Sequence, residues 1–194
     1  MGQPTTAFKS RVQGSQQGFT LLETLISMIV LTIGLVALLG VVGMAMTATQ
    51  TSQEDMIAKK LAQETVESIY TARDTANITW SQILNVGTTG IFVTGFQPIN
   101  QPGADGIIGT ADDSLAGAQT LQLPGPDGIF GTADDVLLPL TNFTRSVVIT
   151  TVPNVATGAP YVNLRQLTVT IQYTTPQFRL PKQYVLTSFI SQYR

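Results

Sequence analysis

Thr24 to Met46 contains no charged residue, and an acid, Glu23, stands immediately before it. About 20 apolar residues suffice to span a bilayer as a helix. In lipid every backbone polar group must be bonded internally, so such a run is committed to helix. An acidic side chain at its start is costly and is by default a functional residue. Upstream lies a polar leader, Met1 to Gly18, carrying Lys9 and Arg11. An ordinary secretory signal would place its cleavage site after the apolar region, among small residues. A plain signal anchor explains the hydrophobicity and the two basic residues on the cytoplasmic side. Neither explains Glu23, nor the glycine standing directly before Phe19.

The rest of the composition excludes more than it reveals. The chain has no Cys and no His. Disulfides, thiolate metal sites and imidazole general bases are therefore unavailable. No residue spacing points to Ser-Lys or carboxylate catalysis, so the chain reads as non-enzymatic. Charge is sparse and segregated. Between Asp74 and Arg145 there is no Lys or Arg, while Asp105, Asp112, Asp113, Asp127, Asp134 and Asp135 supply six acids. Beyond Asp135 there is no acid, and Arg145, Arg165, Arg179, Lys182 and Arg194 supply five bases. Such asymmetry suits head-to-tail packing, a divalent cation or intramolecular pairing. The dispersed bases give no nucleic-acid patch.

From Phe19 to about Ala76 the pattern is helical and free of Pro. After the membrane run, Met56, Ile57, Leu61, Val66, Ile69 and Tyr70 recur at helical steps and predict one apolar stripe. Asp55 and Lys59 sit four apart, in the favourable order for a solvent-facing pair. A continuous helix of this extent would be roughly 85 Å long. Toward the C-terminus Leu167, Val169, Ile171 and Tyr173 alternate with Gln166, Thr168, Thr170 and Gln172, the pattern of a half-buried strand. Arg145–Val152 and Gln183–Ile190 are similar β-branched runs. Pro153–Pro160 and Thr174–Pro181 read as loops. Three consecutive strands with short connections predict an antiparallel meander on which the helix can lie.

Between helix and meander lies an internal repeat at an offset of 22 residues. Pro102-Gly-Ala-Asp105-Gly106-Ile-Ile-Gly109-Thr110-Ala-Asp112-Asp113 returns as Pro124-Gly-Pro-Asp127-Gly128-Ile-Phe-Gly131-Thr132-Ala-Asp134-Asp135. Two copies are too few for a solenoid. They predict two structured loops, with two chemistries open to them. Calcium takes 6–8 oxygen ligands at flexible geometry, and each copy offers three carboxylates and a Thr hydroxyl. Asp-Gly and Ala-Asp-Asp are equally the chemistry of turns and Asx-turns at hairpin tips.

The order of basic leader, Gly18, Phe19, Glu23 and apolar run resembles the type III signal of type IV prepilins and pseudopilins. That resemblance implies cleavage after Gly18 by a membrane-bound prepilin peptidase, methylation of Phe19, and pairing of Glu23 with a neighbouring subunit's N-terminal amine. An unpaired charge in a low-dielectric core is costly, so such a pair would fix the stagger between subunits. A Glu snorkelling to the cytoplasmic interface is the simpler alternative. Gly34, Gly40 and Gly43 are candidates for close packing or local softening of the helix. The meander is similar to the C-terminal half of PilV-like or type II secretion I-like minor pilins and pseudopilins.

Together these imply an α+β, pilin-like fold. Residues 1–18 are the leader, 19–47 the transmembrane and assembly half of the helix, and 48–76 its amphipathic half. Residues 77–194 form a β-rich head with Asp-rich loops at 102–113 and 124–135. The function implied is a structural subunit, a minor pilin or pseudopilin, of a type IV pilus or type II secretion filament. A major pilin and a membrane-anchored, calcium-dependent adhesin are the alternatives. The partners implied are other pilin subunits, the peptidase and an inner-membrane assembly platform. The precursor would sit in the inner membrane, and the product in an extracellular pilus or periplasmic pseudopilus.

Overall fold

The computed structural model describes residues 18–87, 89–175 and 181–193. Residues 1–17 of the leader, with Lys9 and Arg11, lie outside the described residues, as do Arg179 and Arg194. The chain divides into two compact units, one ending at Met46 and the other beginning at Thr47. Helix α1, Leu21–Asp74, runs through both. It starts two residues later and ends two earlier than the sequence predicts, within the usual fraying of helix ends.

In the first unit the helix is apolar on every side. Leu25, Met28, Leu31, Ile33, Leu38 and Val41 all lie open to the surroundings. The few hydroxyls here are satisfied within the helix: Ser27 Oγ donates to the Glu23 carbonyl at 2.7 Å and Thr32 Oγ1 to the Met28 carbonyl at 2.7 Å. This is what a lipid-facing helix requires, since unsatisfied polar groups there cost several kcal/mol.

In the second unit α1 packs on a four-stranded antiparallel sheet ordered β1-β4-β5-β6. The strands are β1 (Gln97–Pro98), β4 (Phe143–Pro153), β5 (Pro160–Tyr173) and β6 (Lys182–Ser191). β4, β5 and β6 form the predicted meander, with Val147 opposite Val169 and Val169 opposite Leu186. β1 adds a short edge on β4, where Pro98 is tolerated. A separate hairpin joins β2 (Thr120–Leu123) to β3 (Val136–Pro139). A 3-10 turn at Trp80–Gln82 and a short helix α2, Asp113–Ala116, complete the elements.

Side-chain alternation along β5, the middle strand of the β4–β5–β6 meander, sets which face meets the helix. Leu167, Val169, Ile171 and Tyr173 point inward and are buried, while Gln166, Thr168, Thr170 and Gln172 lie between them on the wetter face. Fully burying one such aliphatic side chain is worth about 1.5–3 kcal/mol. The helix meets this face through Ala58, Leu61, Ala62, Thr65, Val66, Ile69 and Ala72. Small residues at 58, 62 and 72 let the helix and sheet approach closely, and periodicity in large apolar residues overlooks them. Met56, expected in the buried stripe, is 64% exposed instead. Asp55 does not pair with Lys59. It faces the sheet, accepting from the Tyr173 hydroxyl and lying 3.3 Å from Lys182 Nζ.

Candidate functional site

Two regions carry the chemistry singled out by the sequence: the start of α1 and the repeated loops. Gly18 and Phe19 precede the helix without regular structure, and Phe19 is exposed. Thr20 caps α1, its Oγ1 accepting from the Glu23 backbone N–H at 3.3 Å. Thr20-Leu-Leu-Glu23 has the spacing of a capping box, and an acid in the first turn is favoured by the helix dipole. Glu23 therefore has a local role at the helix end that hydropathy alone does not reveal. Among the described residues no ion pair reaches it. Helix α1 runs unbroken through Gly34, Gly40 and Gly43, and a Cβ at any of these would meet nothing within 4 Å.

Residues 14–39 match the family model described as the prokaryotic N-terminal methylation motif. The chain carries a type IV prepilin-like leader. With the long apolar helix and the antiparallel sheet, its architecture is the pilin-like α+β fold. No curated protein and no solved structure matches it. The motif implies processing by a prepilin peptidase and a membrane-anchored precursor, and pilin-like chains are typically non-enzymatic structural subunits.

The two repeats are the same loop built twice. In the first, Ile107 N donates to Asp105 Oδ1 at 2.8 Å, Gly109 N to Asp113 Oδ2 at 2.7 Å, and Thr110 Oγ1 to Asp112 Oδ1 at 2.6 Å. In the second, Ile129 N donates to Asp127 Oδ1 at 2.8 Å, Gly131 N to Asp135 Oδ2 at 2.6 Å, and Thr132 Oγ1 to Asp134 Oδ1 at 2.6 Å. Gly106 and Gly128 take φ of 69° and 71°, a left-handed turn that side chains disfavour. Gly103 and Gly125 leave room for the carboxylates of Asp112 and Asp134, which occupy the place a Cβ would need. Thus the repeated glycines and acids are all consumed in closing the turn. Hydrogen bonds hold the Asp112, Asp134 and Asp135 carboxyls below their usual pKa, those from the Thr hydroxyls acting first on Asp112 and Asp134, and that from the Gly131 N–H on Asp135.

What surrounds the loops differs completely. Loop 1 is pressed into the head: Ile107 and Ile108 are 3% and 4% exposed, and Ile108 N donates to Ser68 Oγ on α1 at 3.1 Å. Its Asp113 is buried 3.6 Å from Arg145, which is itself 3% exposed and donates to Thr65 Oγ1 at 3.5 Å. Burial pushes the Asp113 carboxyl up and the Arg145 guanidinium down, each against the other's attraction. Desolvation therefore outweighs the Coulomb gain, the usual balance for a buried pair. Loop 2 sits at the tip of the β2–β3 hairpin. Its equivalents of the buried isoleucines, Ile129 and Phe130, are 61% and 64% exposed. Where Asp113 has an arginine, Asp135 has the neutral donor Gln122 Nε2, at 2.5 Å.

The six aspartates expected as calcium ligands are thus distributed over two separate turns. Among the described residues no three acidic side chains gather as a metal-binding group. A divalent cation bound here would share these carboxylates with the N–H and O–H groups from which they now accept. Sequence reading did not anticipate a second basic site: Arg165 stacks 4.1 Å from the Trp80 ring and donates to the Trp80 and Ile83 carbonyls, anchoring the 3-10 turn onto β5. An arginine at an inward position of an otherwise alternating strand is the signal that could have found it.

Proposed function

We propose that this chain is a minor pilin or pseudopilin, a structural subunit of a type IV pilus or a type II secretion filament. In this reading the peptidase cuts after Gly18 and Phe19 becomes the methylated N-terminus. The helix then leaves the inner membrane by packing against the helices of other subunits on an assembly platform. The observation that carries the proposal is the methylation motif opening a helix whose first unit is apolar all round. Such a helix is stable only in lipid or in the core of a helical bundle. Glu23 supports the same reading. A carboxylate near a membrane helix end is tolerated by snorkelling, yet in a filament core it needs a cation, and the new α-amine of Phe19 in a neighbouring subunit would supply one. The minor-subunit assignment rests on the three-stranded C-terminal meander.

Mass spectrometry of the mature protein tests the processing step: the chain should begin at N-methylated Phe19, and Gly18→Val should retain the leader. Glu23→Gln should leave membrane insertion intact or improved while reducing recovery in sheared filaments at least tenfold. A leader still attached to exported protein, or normal recovery of Glu23→Gln, refutes the assignment.

Calcium bound by the Asp loops, and with it an adhesive role, is a second reading. It is favoured by one observation: no described cation pairs with Asp105, Asp112, Asp127, Asp134 or Asp135.

A further inference from the structure

The two loops amount to an internal comparison. They share sequence, turn geometry and hydrogen bonds, so whatever loop 1 touches shows what this unit packs against when it is covered. Loop 1 lays two apolar side chains and one aspartate against α1 and a buried cation. Loop 2 presents the same set with nothing on it. Beyond exposed Ile129 and Phe130, β3 exposes Val136 and Leu138 on one face and Leu137 on the other, each at least 45% exposed, so the hairpin carries further apolar surface. An exposed contiguous apolar patch rimmed by charge marks an interaction surface.

The complementary surface is present on the same chain. One helical face of α1 in the second unit carries Met56, Lys59, Lys60 and Gln63, all exposed. Among the described residues Lys59 and Lys60 take part in no ion pair, whereas Arg73, Arg145 and Lys182 do. Met56 supplies an apolar contact beside the two ammonium groups, and a methionine adapts readily to a partner's shape. Lys60 is about two helical turns before Ser68, the residue that receives loop 1.

We propose that loop 2 of one copy docks on the Met56–Lys59–Lys60 face of α1 in a second copy. Ile129 and Phe130 cover Met56, and Asp134 and Asp135 meet the two lysines. A tip that binds a different surface on its neighbour is a heterologous contact, which propagates along a chain of subunits rather than closing a dimer. The inference rests on the filament reading, for which it names a contact between heads.

Because the chain has no cysteine, crosslinking tests it directly in membranes of cells making the full-length protein. Chains bearing Phe130→Cys and differently tagged chains bearing Met56→Cys are produced together and oxidised. A mixed dimer is expected from the pair, and none from either variant alone. Adding Lys59→Glu and Lys60→Glu to the Met56→Cys chain should reduce the dimer at least fivefold. This leaves the loop untouched, so loss cannot come from an unfolded turn. Raising salt should weaken the crosslink, since exposed charges are screened. Absence of the mixed dimer, its persistence with both lysines reversed, a dimer from Phe130→Cys alone, or its loss on adding chelator would each overturn the docking. Leader processing in the same samples separates this outcome from failure of the filament reading, because cleavage after Gly18 does not depend on the loop.

Discussion

Arg145→Met isolates what holds loop 1 to the head. Methionine keeps most of the volume and apolar stem of the arginine but removes its charge. Asp113 would then be a buried carboxylate with two backbone donors, Gly103 N at 3.0 Å and Gly109 N at 2.7 Å, and no cation. Breaking a buried pair by removing one partner costs about 3–5 kcal/mol, and the lower end applies because the N–H donors and proton uptake by Asp113 relieve part of it. A domain of about 150 residues loses roughly 2–4 °C per kcal/mol, so a cost of about 3 kcal/mol lowers Tm by about 6–12 °C. The assay is thermal unfolding of a soluble fragment beginning near Gln50, followed by circular dichroism at several pH values.

The pH dependence has a definite sign. Burial already raises the Asp113 carboxyl, and loss of Arg145 raises it further, so the folded state holds more protons than the unfolded one between pH 3.8 and the raised value. Stability then falls as pH rises through that window. The deficit of Arg145→Met should therefore shrink in acid and be largest at neutral pH. Adding Asp113→Asn should recover most of the loss, because the pair's desolvation cost leaves with it. Asp135→Asn, at the same position of exposed loop 2, should shift Tm by far less. A Tm for Arg145→Met within 2 °C of the parent would refute the reasoning, as would a double variant no better than the single.

Other perturbations follow from single observations. Glu54 is buried with Oε2 unbonded, and burial raises its carboxyl; Glu54→Gln should raise Tm at neutral pH, with the gain vanishing below about pH 4.5, where the glutamate is protonated in both states. A Tm gain that is the same at pH 4 and pH 7 would contradict this. Arg165→Lys cannot reproduce the planar stack on Trp80 or the paired donation to two carbonyls, and should cost about 2 kcal/mol, read as a lower urea midpoint with an unchanged slope. An unshifted midpoint would assign the Trp80 turn to apolar packing alone. A ligand binding only the folded state adds about 2.7 kcal/mol at 100 times its Kd. The hydrogen-bonded loops lead us to expect equal Tm in calcium and in chelator. A rise in calcium that is lost when Asp112, Asp113, Asp134 and Asp135 become Asn would instead establish the metal site.

Much of the architecture was legible in the sequence because it depends on local periodicity and on exclusion from water. The apolar run, the helix that continues from it and the alternation of β4, β5 and β6 are each set by residues close in sequence. The same holds for the turns of the two loops, whose Gly and Asp residues bond to one another within twelve positions. Pairing partners were less legible. Asp55 was four residues from Lys59, yet it turns to Tyr173 and Lys182, because the sheet occupies that side of α1. Met56 belonged to an apolar stripe on paper but lies outside it, since the small residues Ala58, Ala62 and Ala72 define the contact instead.

The deepest contrast lies between the repeats. Sequence alone determined that residues 102–113 and 124–135 form one and the same turn, because its closure is local. Only the tertiary structure decided that the first is buried on Arg145 and Ser68 while the second stands exposed. The helix and sheet bring Arg145 and Ser68 within reach of loop 1, whereas loop 2 stands at a hairpin tip where, among the described residues, no cation pairs with its acids.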